Sequence, residues 1–63
     1  MAKLREYRTK AKMTQADLAK LTGISLRTIQ DYDQERKPLE RAAAATVLTI
    51  ADALGCTVED LIR

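Results

Sequence analysis

Apolar residues recur along this chain at helical spacing, and short polar or small-residue stretches interrupt them. Leu4, Tyr7 and Ala11 fall at i, i+3 and i+7, which predicts a first helix over roughly residues 2–11. Thr14 is a good N-cap, and Asp17 three residues later favours a helix start there. A second helix follows, with Leu18, Ala19 and Leu21 inward, and ends at Thr22. Gly23 can take the left-handed conformation that follows a helix. Ser25 caps a third helix from about Leu26 to Asp33, with Ile29 and Tyr32 facing inward. Gln34 to Lys37 reads as a polar connection. Pro38 suits the start of a helix, so a fourth is expected from there to Leu54. Its buried side would be Ala44, Val47, Ile50, Ala51 and Leu54, and Gly55 stops it. Thr57 and Asp60 make another cap pair, and Val58, Leu61 and Ile62 give a fifth helix an apolar face. There is no hairpin signal and few β-branched runs. The expected fold class is all-α, five helices in a single domain over residues 1–63.

The connection between the second and third helices is only Gly23, Ile24 and Ser25. So short a link prevents a long antiparallel pair and favours a sharp crossing, at roughly 90–120° when the turn holds a glycine. Ala19 is small enough to let the third helix cross close to the second, with Ile24 and Ile29 plugging the angle. The run Ala42 to Ala45 is the one low-complexity stretch. It reads as a plain helical spacer packed on the core, with a partner contact as the other reading.

Composition narrows the chemistry. A chain of 63 residues buries a modest core and needs support from a disulfide, a metal, a partner copy or regular helix packing. Cys56 is the single cysteine and there is no histidine, so an intrachain disulfide is excluded and a metal site is poorly supplied. Helix packing and self-association remain. One cysteine fits a reducing cytosol. Nothing resembles a signal peptide, and no stretch approaches the roughly 18 apolar residues of a membrane span. The aromatics are Tyr7 and Tyr32 alone, which argues against stacking on single-stranded nucleic acid. Net charge is +2 and decides little. Its distribution says more: Lys3, Arg5, Arg8, Lys10 and Lys12 stand against the single Glu6 at the front of the chain. A one-sided basic surface suits a polyanion, and solubility is the plainer reading. With no histidine, no phosphate-cradling glycine loop and no activated nucleophile, neither an enzyme nor a cofactor nor a small-molecule substrate is expected.

Gln15 to Gln34 is similar to a helix-turn-helix unit, with a small residue at its fifth position (Ala19), glycine at its ninth (Gly23) and an aliphatic residue at its fifteenth (Ile29). The wider text LREYRTKAKMTQADLAKLTGISLRTIQDYDQ resembles the phage Cro and repressor-type helix-turn-helix family, the xenobiotic-response-element-like transcriptional regulators. ADALGCTVEDLI resembles that family's usual ending, so the resemblance covers nearly the whole chain. It implies a compact, repressor-like fold with the helix-turn-helix at the second and third helices. Two departures stand out. Where the family commonly has Glu-x-Gly after the recognition helix, this chain has Asp33-Gln34-Glu35, which implies a different exit, with an extra turn, over residues 34–38. Relatives also pair an arginine of the first helix with that glutamate, and the matching pair here is Arg8 and Asp33.

A recognition helix enters the major groove by its N-terminal end. At roughly 100° per residue, Arg27, Asp31 and Gln34 point away from Ile29, and Gln30 flanks them. By resemblance the base-reading positions fall on Leu26, Arg27 and Asp31. Arg27 can bond guanine O6 and N7 together, and Leu26 can touch a thymine methyl. Asp31 can accept from cytosine N4, or pair with Arg27 four residues away. Gln15 lies at the first turn of the second helix, where free N–H groups favour an anion, and the family commonly holds phosphate with a glutamine there. Ser25 and Thr28 can donate hydroxyls, although Ser25 first serves as a cap; Gln30, Arg36 and Lys37 are further phosphate candidates. Arg5 and Lys12 thicken the positive field.

One such module touches few base pairs. The family usually dimerises, which places two recognition helices roughly 34–36 Å apart in successive major grooves. The candidate contact is drawn from Leu48, Leu54, Cys56, Val58, Leu61 and Ile62, some of which belong to the core. Cys56 reads as a small buried hydrophobe. The expected function is a sequence-specific regulator of double-stranded DNA, a repressor bound as a homodimer to a near-palindromic operator, in the cytoplasm of a prokaryote and associated with its nucleoid, whether native or phage-encoded. Sixty-three residues hold no effector domain, so blocking polymerase by occupancy is the simplest mechanism, with activation by touching polymerase a second. The alternative is a protein-binding module, an antitoxin or inhibitor, that uses AAAATVL (Ala42 to Leu48) as its surface. Steep loss of binding with salt separates the two, because phosphate neutralisation makes DNA affinity salt-dependent.

Overall fold

The computed structural model describes residues 2–63. Five α-helices follow one another: α1 (Leu4–Lys10), α2 (Gln15–Thr22), α3 (Leu26–Asp33), α4 (Ala44–Leu54) and α5 (Val58–Ile62). A single 3-10 turn, Leu39–Arg41, precedes α4, and no strand occurs among the described residues. The all-α expectation holds.

Local chemistry sets most of the boundaries. Thr14 accepts from the Asp17 N–H at 3.0 Å, and the Asp17 carboxylate accepts from the Thr14 N–H at 3.0 Å, a complete capping box at the start of α2. Thr57 and Asp60 repeat it at α5. The Ser25 hydroxyl caps α3 by accepting from Thr28 N–H at 3.2 Å. Gly23, at φ 74, closes α2 with its N–H on the Ala19 carbonyl. The first helix is shorter than the spacing predicts: the chain turns left-handed at Lys12 (φ 57), and Ala11 is left exposed outside the helix.

The fourth helix differs most from expectation. Pro38 is extended, the chain makes its one 3-10 turn, Ala42 and Ala43 run extended, and only then does α4 begin. A continuous helix from Pro38 to Leu54 would be about 25 Å long at 1.5 Å per residue. The domain's largest extent is 22 Å. The break folds Leu39 back so that it is fully buried, and leaves Ala43, Ala44 and Ala45 exposed. Half of the alanine run is therefore not a helical spacer.

Leu4, Leu18, Ile29, Leu39, Ile50 and Leu61 are fully buried, with Val47 and Ala51 beside them. Each such aliphatic side chain contributes about 1.5–3 kcal/mol of burial. Ile24 and Ala19 pack against this core at the α2–α3 corner, as the short turn predicts. Leu21 does not join it and is 59% exposed. Leu61 is core and is removed from the candidate dimer surface; Leu48 is 53% exposed, while Leu54, Cys56, Val58 and Ile62 are half-buried against the core. The Lys3 N–H donates to the Leu61 carbonyl at 2.7 Å and ties the front of the chain to α5.

Candidate nucleic-acid interface

The short Gly23–Ser25 turn leaves the first turn of α3 at the surface. Leu26 is 42% exposed, and Arg27 is exposed with no ion-pair partner among the described residues. Ile29, two residues on, is fully buried and fixes the rotation of the helix. The Ser25 hydroxyl donates to the Thr28 hydroxyl at 2.8 Å while it caps, so both are oriented before any ligand arrives.

The far end of α3 is held by a buried carboxylate. Asp33 accepts from Arg8 Nε at 2.8 Å, Gln15 Nε2 at 2.9 Å, Arg5 Nε at 3.2 Å and Arg8 Nη2 at 3.4 Å. Its side chain is 0% exposed. Burial pushes its acidity down, but the hydrogen bonds from Arg8, Gln15 and Arg5 outweigh that and hold the carboxyl below the ordinary value. Arg8 also donates through Nη1 to the Met13 carbonyl at 2.7 Å. One carboxylate thus locks α1, α2 and α3 together. The Arg8–Asp33 pair implied by the resemblance forms, and Arg5, which charge patterning placed only in the general field, belongs to it. Arg5 lies three residues before Arg8 on the same helix face, which is the signal that could have found it. Gln15 is at the start of α2 as expected, but one amide N–H is spent on Asp33.

The exit from α3 has no extra turn. The helix ends at Asp33, and Glu35 takes the left-handed conformation itself (φ 58), at the position that the resemblance matches to glycine. The chain then doubles back. Arg36 and Lys37 N–H both reach the Asp31 carbonyl, at 2.8 and 3.2 Å. Their side chains follow: Arg36 Nε lies 3.1 Å from Asp31 Oδ1, and Lys37 Nζ lies 3.7 Å from Asp31 Oδ2. Asp31 is accordingly buried, not outward-facing as helical phase predicts, and it pairs with these two cations instead of Arg27. Arg27, Thr28, Gln30, Asp31, Arg36 and Lys37 line one open concavity; Gln15, Ser25 and Leu26 lie outside it.

A family model for the Cro/C1-type helix-turn-helix DNA-binding domain matches residues 3–63. The chain belongs to that family. No curated protein matches it. As a Cro/C1-type domain it is a DNA-binding regulator module whose partner is double-stranded DNA. Among the described residues no helix is long and apolar enough to cross a membrane, and no group of three or more metal-binding side chains is gathered. The Cys56 thiol of this Cro/C1-type domain is pushed up by burial and then by Asp60, the opposite of an activated thiolate.

Proposed function

We propose that this domain is a repressor that binds a near-palindromic operator as a homodimer, with α3 in the major groove. The observation that carries the reading is Arg27: an exposed guanidinium, unpaired among the described residues, in the first turn of a helix whose inner face and far end are both fixed. Leu26 beside it is a large apolar side chain left 42% exposed, which suits a thymine methyl. Gln15, Ser25, Thr28, Gln30, Arg36 and Lys37 contact phosphates on either side. Gln15 does so with its second amide N–H, since a carboxamide has two. The two-fold contact uses Leu48 with the exposed parts of Leu54, Cys56, Val58 and Ile62. Repression is by occupancy.

Selection from a randomised duplex library tests this. Enrichment of a near-palindrome with half-sites one helical turn apart is expected, and Arg27→Ala relaxes preference at one base pair per half-site, by about 1–3 kcal/mol. Well-folded protein that enriches no sequence overturns the reading. Binding to a protein with little salt dependence would point to an antitoxin-like role at α4, for which exposed Leu48 is the supporting feature.

A further inference from the structure

We infer that Asp31 sets the strength of sequence-independent DNA binding through charge, by restraining Arg36 and Lys37, and does not itself read a base. The inference rests on the double-stranded DNA reading and deepens it. Four contacts converge on this one residue: two loop N–H groups on its carbonyl and two loop cations on its carboxylate. The carboxylate is 13% exposed, whereas Arg36 and Lys37 side chains are 55% and 64% exposed. The acid therefore sits beneath its cations, and what the concavity presents outward is cationic. Arg36 uses only Nε on Asp31 and keeps its terminal N–H groups for another oxygen.

This geometry has two effects. It holds both cations in the lining of the concavity that they share with Arg27 and Gln30 of α3, the helix that would enter the groove. It also sets one fixed negative charge against two positive ones. Non-specific affinity comes almost wholly from phosphate neutralisation, so that carboxylate weakens binding to every sequence alike. The specific complex carries the same penalty, so the base preference set by Arg27 and Leu26 is unchanged. Asp31 thus sets how tightly the domain holds any duplex, and touches no base edge.

The test compares Asp31→Asn with Asp52→Asn, an exposed carboxylate of α4 outside the concavity that makes the same change in net charge. Binding to a random-sequence duplex is measured across a salt series, with retention on heparin as a second polyanion, after circular dichroism has checked folding. The same randomised library is selected with each protein. Asp31→Asn is expected to bind random duplex several-fold more tightly, with a salt slope steeper by about one, and to enrich an unchanged sequence. In an Arg36→Gln/Lys37→Gln background, which keeps Asp31 itself, adding Asp31→Asn should no longer steepen the slope. If Asp31→Asn shifts the enriched base at one position and leaves the slope alone, Asp31 is a base reader and the inference fails. It fails equally if Asp31→Asn and Asp52→Asn behave alike. Wild-type protein that enriches no sequence overturns the regulator reading, while the slopes on heparin still decide the role of Asp31.

Discussion

Arg8 and Asp33 form a two-pronged ion pair, Nε to Oδ1 at 2.8 Å and Nη2 to Oδ2 at 3.4 Å, that fastens α1 to the end of α3. Side-on pairing of this kind fixes orientation as well as distance. Arg8→Ala would leave a buried carboxylate with only Arg5 and Gln15, and breaking such a pair from one side costs about 3–5 kcal/mol. Urea denaturation should show most of the domain's stability lost. Arg5→Ala removes a side chain that is 61% exposed and should cost under about 1 kcal/mol. Equal costs for the two would show that Arg8 has no special place in the hub.

Acid should unfold the domain partly through the same carboxylate. Asp33 holds its proton less tightly when folded than when unfolded, so its contribution is fully present above the unfolded value. It is lost as pH falls through the lower folded value, a window that opens below about pH 5. Asp17 and Asp60 shift the same way, chiefly because the backbone N–H groups of Thr14 and Thr57 donate to them. Melting temperature should therefore fall with pH in this range. Asp33→Asn should have a shallower fall and not a flat one. An unchanged slope would remove Asp33 from the account.

Glu35 holds a left-handed backbone that costs a residue with a side chain about 1–2 kcal/mol relative to the right-handed form. Glycine has no such cost, but gives back about 0.4–1 kcal/mol through its freer unfolded chain. Glu35→Gly should raise stability by about 0.5–1 kcal/mol, the difference between these two effects. Glu35→Ala keeps the strain and removes only the charge, so it should gain nothing comparable. Denaturant midpoints compare the three.

Leu48 is the large apolar side chain that α4 leaves at the surface, 53% exposed. Leu48→Glu should change monomer stability by no more than about 0.5 kcal/mol, as for other surface sites. If this face pairs two copies, the variant sediments as a monomer at concentrations where the parent dimerises, and it loses cooperative binding to a two-half-site duplex. Intact pairing would move the two-fold contact elsewhere. Leu61→Ala opens a cavity in the core and should cost about 2–5 kcal/mol without bearing on the interface.

Features written in adjacent residues were legible in the sequence. Thr14 with Asp17, Ser25, and Thr57 with Asp60 start their helices where the local pattern places them, because a cap is made within three residues. The Gly23 turn was legible for the same reason. Features made by distant residues were not. Helical phase sends Asp31 outward, yet Arg36 and Lys37 fold back over it. Proline's fitness for a helix start begins α4 at Pro38, yet a domain this small has no room for it, and Leu39 goes to the core. Leu21 fits the apolar pattern of α2 but stays exposed, since Leu18 already fills the buried side. At the interface, Leu26 and Arg27 lie at the surface as expected, while Gln15 has a second partner in Asp33 that spacing alone could not reveal.

The 2.7 Å bond from Lys3 to Leu61 brings the start of α1 and the last turn of α5 to one place. Neighbouring ends suit insertion of a domain as a unit. Grafted through short linkers into a surface loop of another protein, the module would need little stretching of its host. Two modules joined in tandem would leave from one corner, so linker length alone would set how far apart their α3 helices can reach.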